Sequence, residues 1–281
     1  MGEPEYYRLD TSTYKFYLTI SKSPSIDTIS IGGRKGECVS ISINKPESLS
    51  VQRGYHSLEK ATIPILAWNA KCAGVGTIAM ISITLSEAVK RYPYVTLFTF
   101  TDNSHIRCDN GKEISLLSLS IIEHTKTWYE RHFNAFLSDS SMNEKYKKGI
   151  ALLNDSEIKL PFDEFKKIIQ SFTTPSVLES LKSYYESSPN YFAFFKAILD
   201  SQGKSGLCVL VVDWIDHFLY SFVFQFNPLT VPWAIPSESV KNIEINEIKL
   251  NRWPINQTGG RRYTRSKNSR VNINDILEMR L

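Results

Sequence analysis

The stretch from Ala61 to Thr101 restricts the fold more than any other part of the chain. Ala61–Trp68 is an apolar run of strand length, and Pro64 within it points to an edge or a bulge, because proline has no N–H to give a ladder. The turn Lys71-Cys72-Ala73-Gly74-Val75-Gly76-Thr77 follows. From Thr77 to Arg91 the apolar residues Ile78, Ile81, Leu85, Ala88 and Val89 fall on one stripe of a helix, which Pro93 ends. Val95–Thr101 then alternates in the manner of a strand and stops at Asp102-Asn103-Ser104. Strand, turn, helix and strand in this order form a βαβ unit whose strands lie parallel. The fold class expected is α/β (α+β), with any site at the turn.

The flanks fill in the rest. Between residues 13 and 51, Tyr14–Ile20 and Val39–Ile43 read as short strands, with Gly32-Gly33 among the turn-formers. Residues 114–133 return to helical spacing. Past the polar cluster Ser138–Ser141 the texture changes: Met142–Leu153, Pro161–Ser171, Pro175–Tyr185 and Pro189–Leu199 read as helices that begin at Pro, Ser or Thr. Leu207–Val212 and Leu219–Phe226 read as a small strand pair. The division expected is therefore an α/β domain over 1–138, a mostly helical domain with strands over 139–258, and a basic segment over 259–281.

Charge and cysteine usage narrow the setting. Arg261, Arg262, Arg265, Lys267 and Arg270 sit in one stretch without an acid, and they outweigh the formal net charge of +4, so the folded body is close to neutral. Such a segment suits an acidic partner or nucleic acid, since clustered guanidinium groups release counterions from phosphates, or it serves as a solvated tail. Cys38, Cys72, Cys108 and Cys208 form no C-x-x-C pair and Met1–Asp10 is polar, which points to a reducing, cytoplasmic setting. The longest apolar stretches are short and broken by Asp213, Asp216 and His217, so no membrane span is expected. His105-x-x-Cys108 is one pair only, whereas structural zinc sites show close pairs twice over.

The glycine turn carries the chemistry. Gly74 and Gly76 let backbone approach a ligand closely, and the free N–H groups of the helix start then face it with the positive end of the dipole, which suits an anion. A Rossmann fingerprint has its third glycine where Ala79 stands, a replacement the pattern tolerates, but Asp102 arrives slightly late for the ribose acid. The ATPase phosphate loop fails at Gly203-Lys204-Ser205, because Ile198 occupies its first glycine position.

Lys71-x-x-Gly74-x-Gly76 resembles the Arg/Gln-x-x-Gly-x-Gly/Ala pyrophosphate loop of the GNAT superfamily of N-acetyltransferases. The ending Thr127-Trp128-Tyr129-Glu130-Arg131-His132-Phe133 is similar to the family's Tyr-Glu-Lys-x-Gly-Phe. The likeness covers residues 60–136, with Lys71 in place of Arg or Gln, His132 in place of glycine, and a polar loop added at residues 103–113. It implies a GNAT-like mixed sheet, acetyl-CoA held as co-substrate by Lys71, Cys72, Ala73, Gly74, Val75, Gly76 and Thr77, and Tyr129 as the acid that protonates the departing thiolate. Transfer to a small-molecule or protein amine would proceed by direct attack on a thioester carbonyl held by main-chain N–H groups of a splayed strand. His56 or Glu59 stands where a base is needed. The basic C-terminal segment and the Lys/Ile/Asn/Ser/Tyr-rich texture also look like those of proteins from large DNA viruses, which keeps a second reading open: a non-catalytic structural or interaction protein, virion or virus-factory associated, on the same fold.

Overall fold

The computed structural model describes residues 3–11, 14–33, 36–45, 60–66, 77–102, 104–240, 243, 245–252 and 260–262. Its contacts group into two compact units, Met1–Phe100 with Ile235–Leu281, and Thr101–Ala234. Ser138–Ser141, where the sequence suggests a boundary, leads into a helix inside the second unit.

The first unit opens with β1 (Glu5–Asp10), β2 (Tyr14–Lys22), β3 (Ile26–Gly33) and β4 (Gly36–Asn44), each antiparallel to the next. Their alternation explains them: Phe16, Leu18, Ile20, Ile29, Ile31, Val39, Ile41 and Ile43 are all buried at spacings of two. β5 (Lys60–Leu66) is antiparallel to β4, and α1 (Thr77–Arg91) leads from it to β6 (Leu97–Phe100), which runs parallel to β5. The expected βαβ unit is thus present, with the helix bounds where the periodicity and Pro93 put them. α1 packs on β3 and β4. Burial goes beyond its apolar stripe, since Thr84, Ser86 and Glu87 are buried as well, and the Thr84 hydroxyl donates to the Met80 carbonyl at 2.6 Å.

The second unit begins with the hairpin β7 (His105–Arg107) and β8 (Glu113–Ser115). Ser115 caps α2 (Leu116–His124), accepting from Ser118 N, and Thr127 with Glu130 forms a capping box on α3 (Trp128–Phe133). After β9 (Phe136–Leu137) come α4 (Ser140–Asn154), α5 (Phe162–Ile169), α6 (Pro175–Ser187) and α7 (Tyr191–Leu210). Asp139, Thr174 and Asn190 cap three of these through their side chains, and Pro175 starts α6, where its missing N–H costs nothing. Phe165, Tyr185, Tyr191, Phe194, Phe195, Trp214 and Phe218 form the buried aromatic core.

The strand pair expected at Leu207–Val212 and Leu219–Phe226 is not there. Leu207–Leu210 ends α7, and Phe218–Val223 is a π-helix whose Phe218, Leu219 and Val223 face the core. A short apolar run fits a buried helix as well as a strand, and here tertiary burial decides. The second unit's strands are β7, β8, β9 and the start of β10 (Trp233–Pro236), which pairs with β9. The chain re-enters the first unit within β10. β11 (Asn246–Leu250) then joins the free edge of β1, and β12 (Gly260–Arg262) pairs with β2. In the first unit the strands lie in the order β11-β1-β2-β3-β4-β5-β6-β10. Among the described residues, no single helix is long and apolar enough to cross a membrane.

Candidate functional site

The strand that leads to the glycine turn is irregular at a definite place. Ser40 pairs with Ile65 and Ser42 with Thr62, so two steps on β4 match three on β5, a β-bulge that contains Pro64. Proline suits that position because the extra residue of a bulge leaves the ladder. On the other side, the parallel register with β6 runs from Lys60↔Leu97 to Thr62↔Thr99. Both ladders therefore change at Thr62: one slips and the other ends, while β5 continues to Leu66. A strand edge that leaves its ladder has main-chain N–H groups to offer elsewhere. α1 then starts at Thr77 with no acid in its first turn. Lys71, Cys72, Ala73, Gly74, Val75 and Gly76 lie outside the described residues, as do His56 and Glu59.

Tyr129 belongs to the second unit. The Thr127 capping box fixes the start of α3, with the Thr127 N–H donating to Glu130 Oε2 at 2.6 Å, and so fixes where Tyr129 leaves the helix. Glu130 Oε2 also accepts from the Tyr146 hydroxyl at 2.6 Å, which ties α3 to α4. Tyr129 is 6% exposed and lies edge-on to Trp128, with ring centroids 5.0 Å apart. Burial, and next the charge of Asp102, push its hydroxyl well above the ordinary tyrosine range, and the hydroxyl is hydrogen-bonded to Ser104. Ser104 in turn donates to Asp102 Oδ1 from its hydroxyl and, at 3.0 Å, from its backbone N–H. Asp102, 3% exposed, is raised above the usual carboxylate range by burial. Tyr129, Ser104 and Asp102 thus form one buried hydrogen-bonded chain. His132, standing where the family pattern has glycine, packs against Trp128 at 4.9 Å.

A second polar group joins residues far apart in the sequence. The Ser118 hydroxyl donates to Asp216 Oδ1 at 2.5 Å and lies 3.0 Å from the Tyr220 hydroxyl, which also reaches Ser115 Oγ at 3.4 Å. Burial raises Asp216 above its ordinary range and pushes Tyr220 up to about 12. Asp216, one of the polar residues that break the apolar stretches of the sequence, ties the turn before the π-helix to Ser118 of α2. Among the described residues no group of His, Cys, Asp and Glu has the makings of a metal site.

Cysteine usage requires a correction. Cys108 and Cys208 are disulfide-bonded, with Cα atoms 5.7 Å apart, and Cys38 is disulfide-bonded as well. The free thiols of a reducing compartment are not what the fold brings together, and Cys108 has no role as a metal ligand beside His105. Of the basic segment, Gly260–Arg262 lies along β2 as β12, and residues 263–281 lie outside the described residues.

Asp102 gives a test of this geometry. Its folded pKa lies above the unfolded one, so the folded state keeps a proton the unfolded chain has lost; its contribution to stability falls as pH rises from about 3.8 through the folded value. Asn in its place still accepts from Ser104 and carries no charge. Asp102→Asn is expected to be more stable than the parent protein at pH 7 by a margin that closes toward pH 4, read as urea midpoints. An equal difference at both pH values would show that burial does not govern this carboxyl.

No family model, curated protein or solved structure matches the chain.

Proposed function

We propose that the chain is a GNAT-like N-acyltransferase that moves an acetyl group from acetyl-CoA to an amine. The observation that carries this reading is β5: its ladder to β4 bulges between Thr62 and Ile65, around Pro64, and its parallel ladder to β6 ends at Thr62, on the strand that leads toward the glycine turn and α1. That arrangement suits main-chain N–H groups that hold a thioester carbonyl, followed by a helix start that takes the pyrophosphate. Lys71 adds a cation on the approach, and residues 71–77 are the cofactor contacts of this reading.

The chemistry then needs an acid for the thiolate released when the amine attacks. The family resemblance implies Tyr129 for that role. Burial raises the Tyr129 hydroxyl above the ordinary tyrosine range, which makes it a weaker acid toward a thiolate than a free tyrosine and counts against this assignment. The Tyr129 hydroxyl is bonded to Ser104, whose hydroxyl donates to Asp102 Oδ1, so the hydrogen-bonded chain runs toward the buried Asp102 carboxyl. The deep burial of Tyr129 favours the second reading, a non-catalytic interaction protein on the same fold, in which these groups only rigidify the second unit.

Ligand-linked stability separates the two. Acetyl-CoA at about a hundred times its dissociation constant should add roughly 2.7 kcal/mol to the stability of the full chain. Gly74→Val together with Gly76→Val should abolish that shift, because side chains there would hold the pyrophosphate off the backbone. The absence of a thermal shift with either acetyl-CoA or CoA at millimolar concentration would remove the acyltransferase reading and leave the interaction protein.

A further inference from the structure

We propose that Cys108 and Cys208 form a thiol–disulfide latch that a dithiol reductant opens, releasing the last limb of α7 from the β7–β8 hairpin. α7 is not one helix. At Gly203 the backbone has φ 63° and ψ −165°, far from helical values and in a region that only glycine enters without strain. Nothing lies within 4 Å of where a Cβ would stand there, so tight packing does not impose the break. The segment beyond it, Lys204–Leu210, therefore cannot rely on a continuous hydrogen-bond ladder with Tyr191–Gln202 for its position.

Apart from the burial of Gly206 and Leu207 and the Ser205 hydroxyl, which donates to the Gln202 carbonyl at 3.2 Å, what positions it is the turn of the hairpin. Gly111 in the left-handed region (φ 81°) lets residues 108–112 fold back, with Gly111 N donating to Cys108 O at 2.9 Å and Cys108 N to Lys112 O at 2.8 Å. From this turn three ties reach the far limb and the residues just after it. They are the Cys108–Cys208 bond, Asn110 Nδ2 donating to the Cys208 carbonyl at 3.0 Å, and Lys112 Nζ against Asp213 Oδ2 at 2.5 Å. Elsewhere on the limb, Lys204 stands 3.9 Å from Glu123 and the Leu210 carbonyl accepts from Trp214 Nε1 at 2.7 Å. The Asn110 and Lys112 ties are exposed, and exposed polar contacts are individually weak. The covalent bond is the strong one.

Its two sulfurs are not equally open. Cys108 is 6% exposed, whereas Cys208 is half-buried beside Val209, the most exposed of the large apolar residues among the described ones at 61%. An attacking thiolate meets Cys208 first. It bonds to that sulfur, the Cys108–Cys208 bond breaks, and Cys108 leaves as a thiolate that takes up a proton. The second thiol of the dithiol then closes on the first, releasing Cys208 as a thiol and carrying away the oxidised, cyclic disulfide. Two electrons pass from the dithiol to the bridge. The freed limb contains the apolar run Leu207-Cys208-Val209-Leu210-Val211-Val212, of which Leu207 and Val211 are buried while the latch is closed. This inference is independent of the acyltransferase reading.

Hydrogen exchange on the full chain, before and after dithiothreitol and with thiols counted by alkylation and mass, tests it. Reduction should accelerate exchange at least tenfold in residues 204–212 and 108–112, leave residues 191–202 of α7 unchanged, and reverse on reoxidation. Cys108→Ser with Cys208→Ser should show the open pattern without reductant. Three results would overturn the latch: exchange that stays the same once both thiols are confirmed free, exchange that rises throughout α4–α7, or two alkylatable thiols at positions 108 and 208 in protein purified under air without reductant.

Discussion

Phe165→Ala is expected to remove about 3–5 kcal/mol from the stability of the second unit, seen as a lower urea midpoint for tryptophan fluorescence. Phe165 is 0% exposed and lies at the centre of a cluster of rings. It stacks on Tyr185 at 4.4 Å and meets Phe194, Trp214 and Phe218 edge-on at 5.7, 5.6 and 5.5 Å. Those neighbours come from α6, α7 and the segment after it, so their backbones are fixed by three other elements and cannot all close on the void. A second effect adds to the cavity. α5 spans Phe162–Ile169, too short to persist alone, and Pro161 before it makes no side-chain cap. Phe165 and Ile169 are the buried residues along it, with half-buried Phe162 against Tyr185 at 5.6 Å, so the alanine variant removes a large part of what docks the helix. Phe165→Leu, which keeps most of the apolar volume, should cost markedly less. A loss below about 1.5 kcal/mol for the alanine variant would mean that the cluster repacks freely, against the dense packing expected of such a core.

The parts of this fold that the sequence discloses are those in which one local signal decides. Thr77–Arg91 is read correctly because an apolar stripe and Pro93 agree, and Pro64 marks the bulge because a missing N–H acts where it stands. β1 is missed although Tyr7 and Leu9 are buried at a spacing of two. Its charged residues look like a polar leader, and only in the fold do Arg8 and Asp10 pair at 3.1 Å and Glu5 meet Lys22 at 2.8 Å. Residues 207–226 are misread for the opposite reason: the valine-rich apolar run at Val209–Val212 suits a strand locally, and the break at Gly203 together with the π-helix places it otherwise. The Cys108–Cys208 bond spans a sequence separation of 100, and pairings of that kind are fixed by the fold and not by spacing. For the candidate site the same division holds. The order of strand, turn and helix is legible, whereas the chain from Tyr129 through Ser104 to Asp102 joins residues that no periodicity relates.

Arg91→Ala should be the most damaging single change in the first unit, about 3–5 kcal/mol at neutral pH, because it strands a buried charge. Glu87 is 1% exposed on the last turns of α1, and Arg91 Nε meets its Oε2 at 3.1 Å. The same guanidinium stands 2.7 Å from Glu247 Oε1 on β11 and 4.7 Å over the Tyr7 ring on β1, so it ties the helix to two strands. Lys90 does not replace it, lying 3.8 Å from Glu87 with its side chain 61% exposed. Burial already raises Glu87 above the usual carboxylate range despite Arg91, whereas Glu247 is held below that range, with its Arg91 contacts lowering it against the opposing effect of burial. Without Arg91 the Glu87 carboxyl escapes by taking a proton, which sets the sign of the pH dependence. Below about 4.5 the folded and unfolded chains both hold that proton; as pH rises further the unfolded chain releases it and the folded one does not, so stability falls until the raised folded value is passed. The variant should therefore lose more of its stability between pH 5 and 7 than the parent protein does, in urea titrations of the full chain. Adding Glu87→Gln should recover part of the loss at pH 7 and remove most of the extra pH dependence, since a neutral amide has no charge to strand. Should the double variant be no better than Arg91→Ala at pH 7, the damage lies in the lost packing on Tyr7 and Glu247, and the buried charge is not what holds this corner of the sheet together.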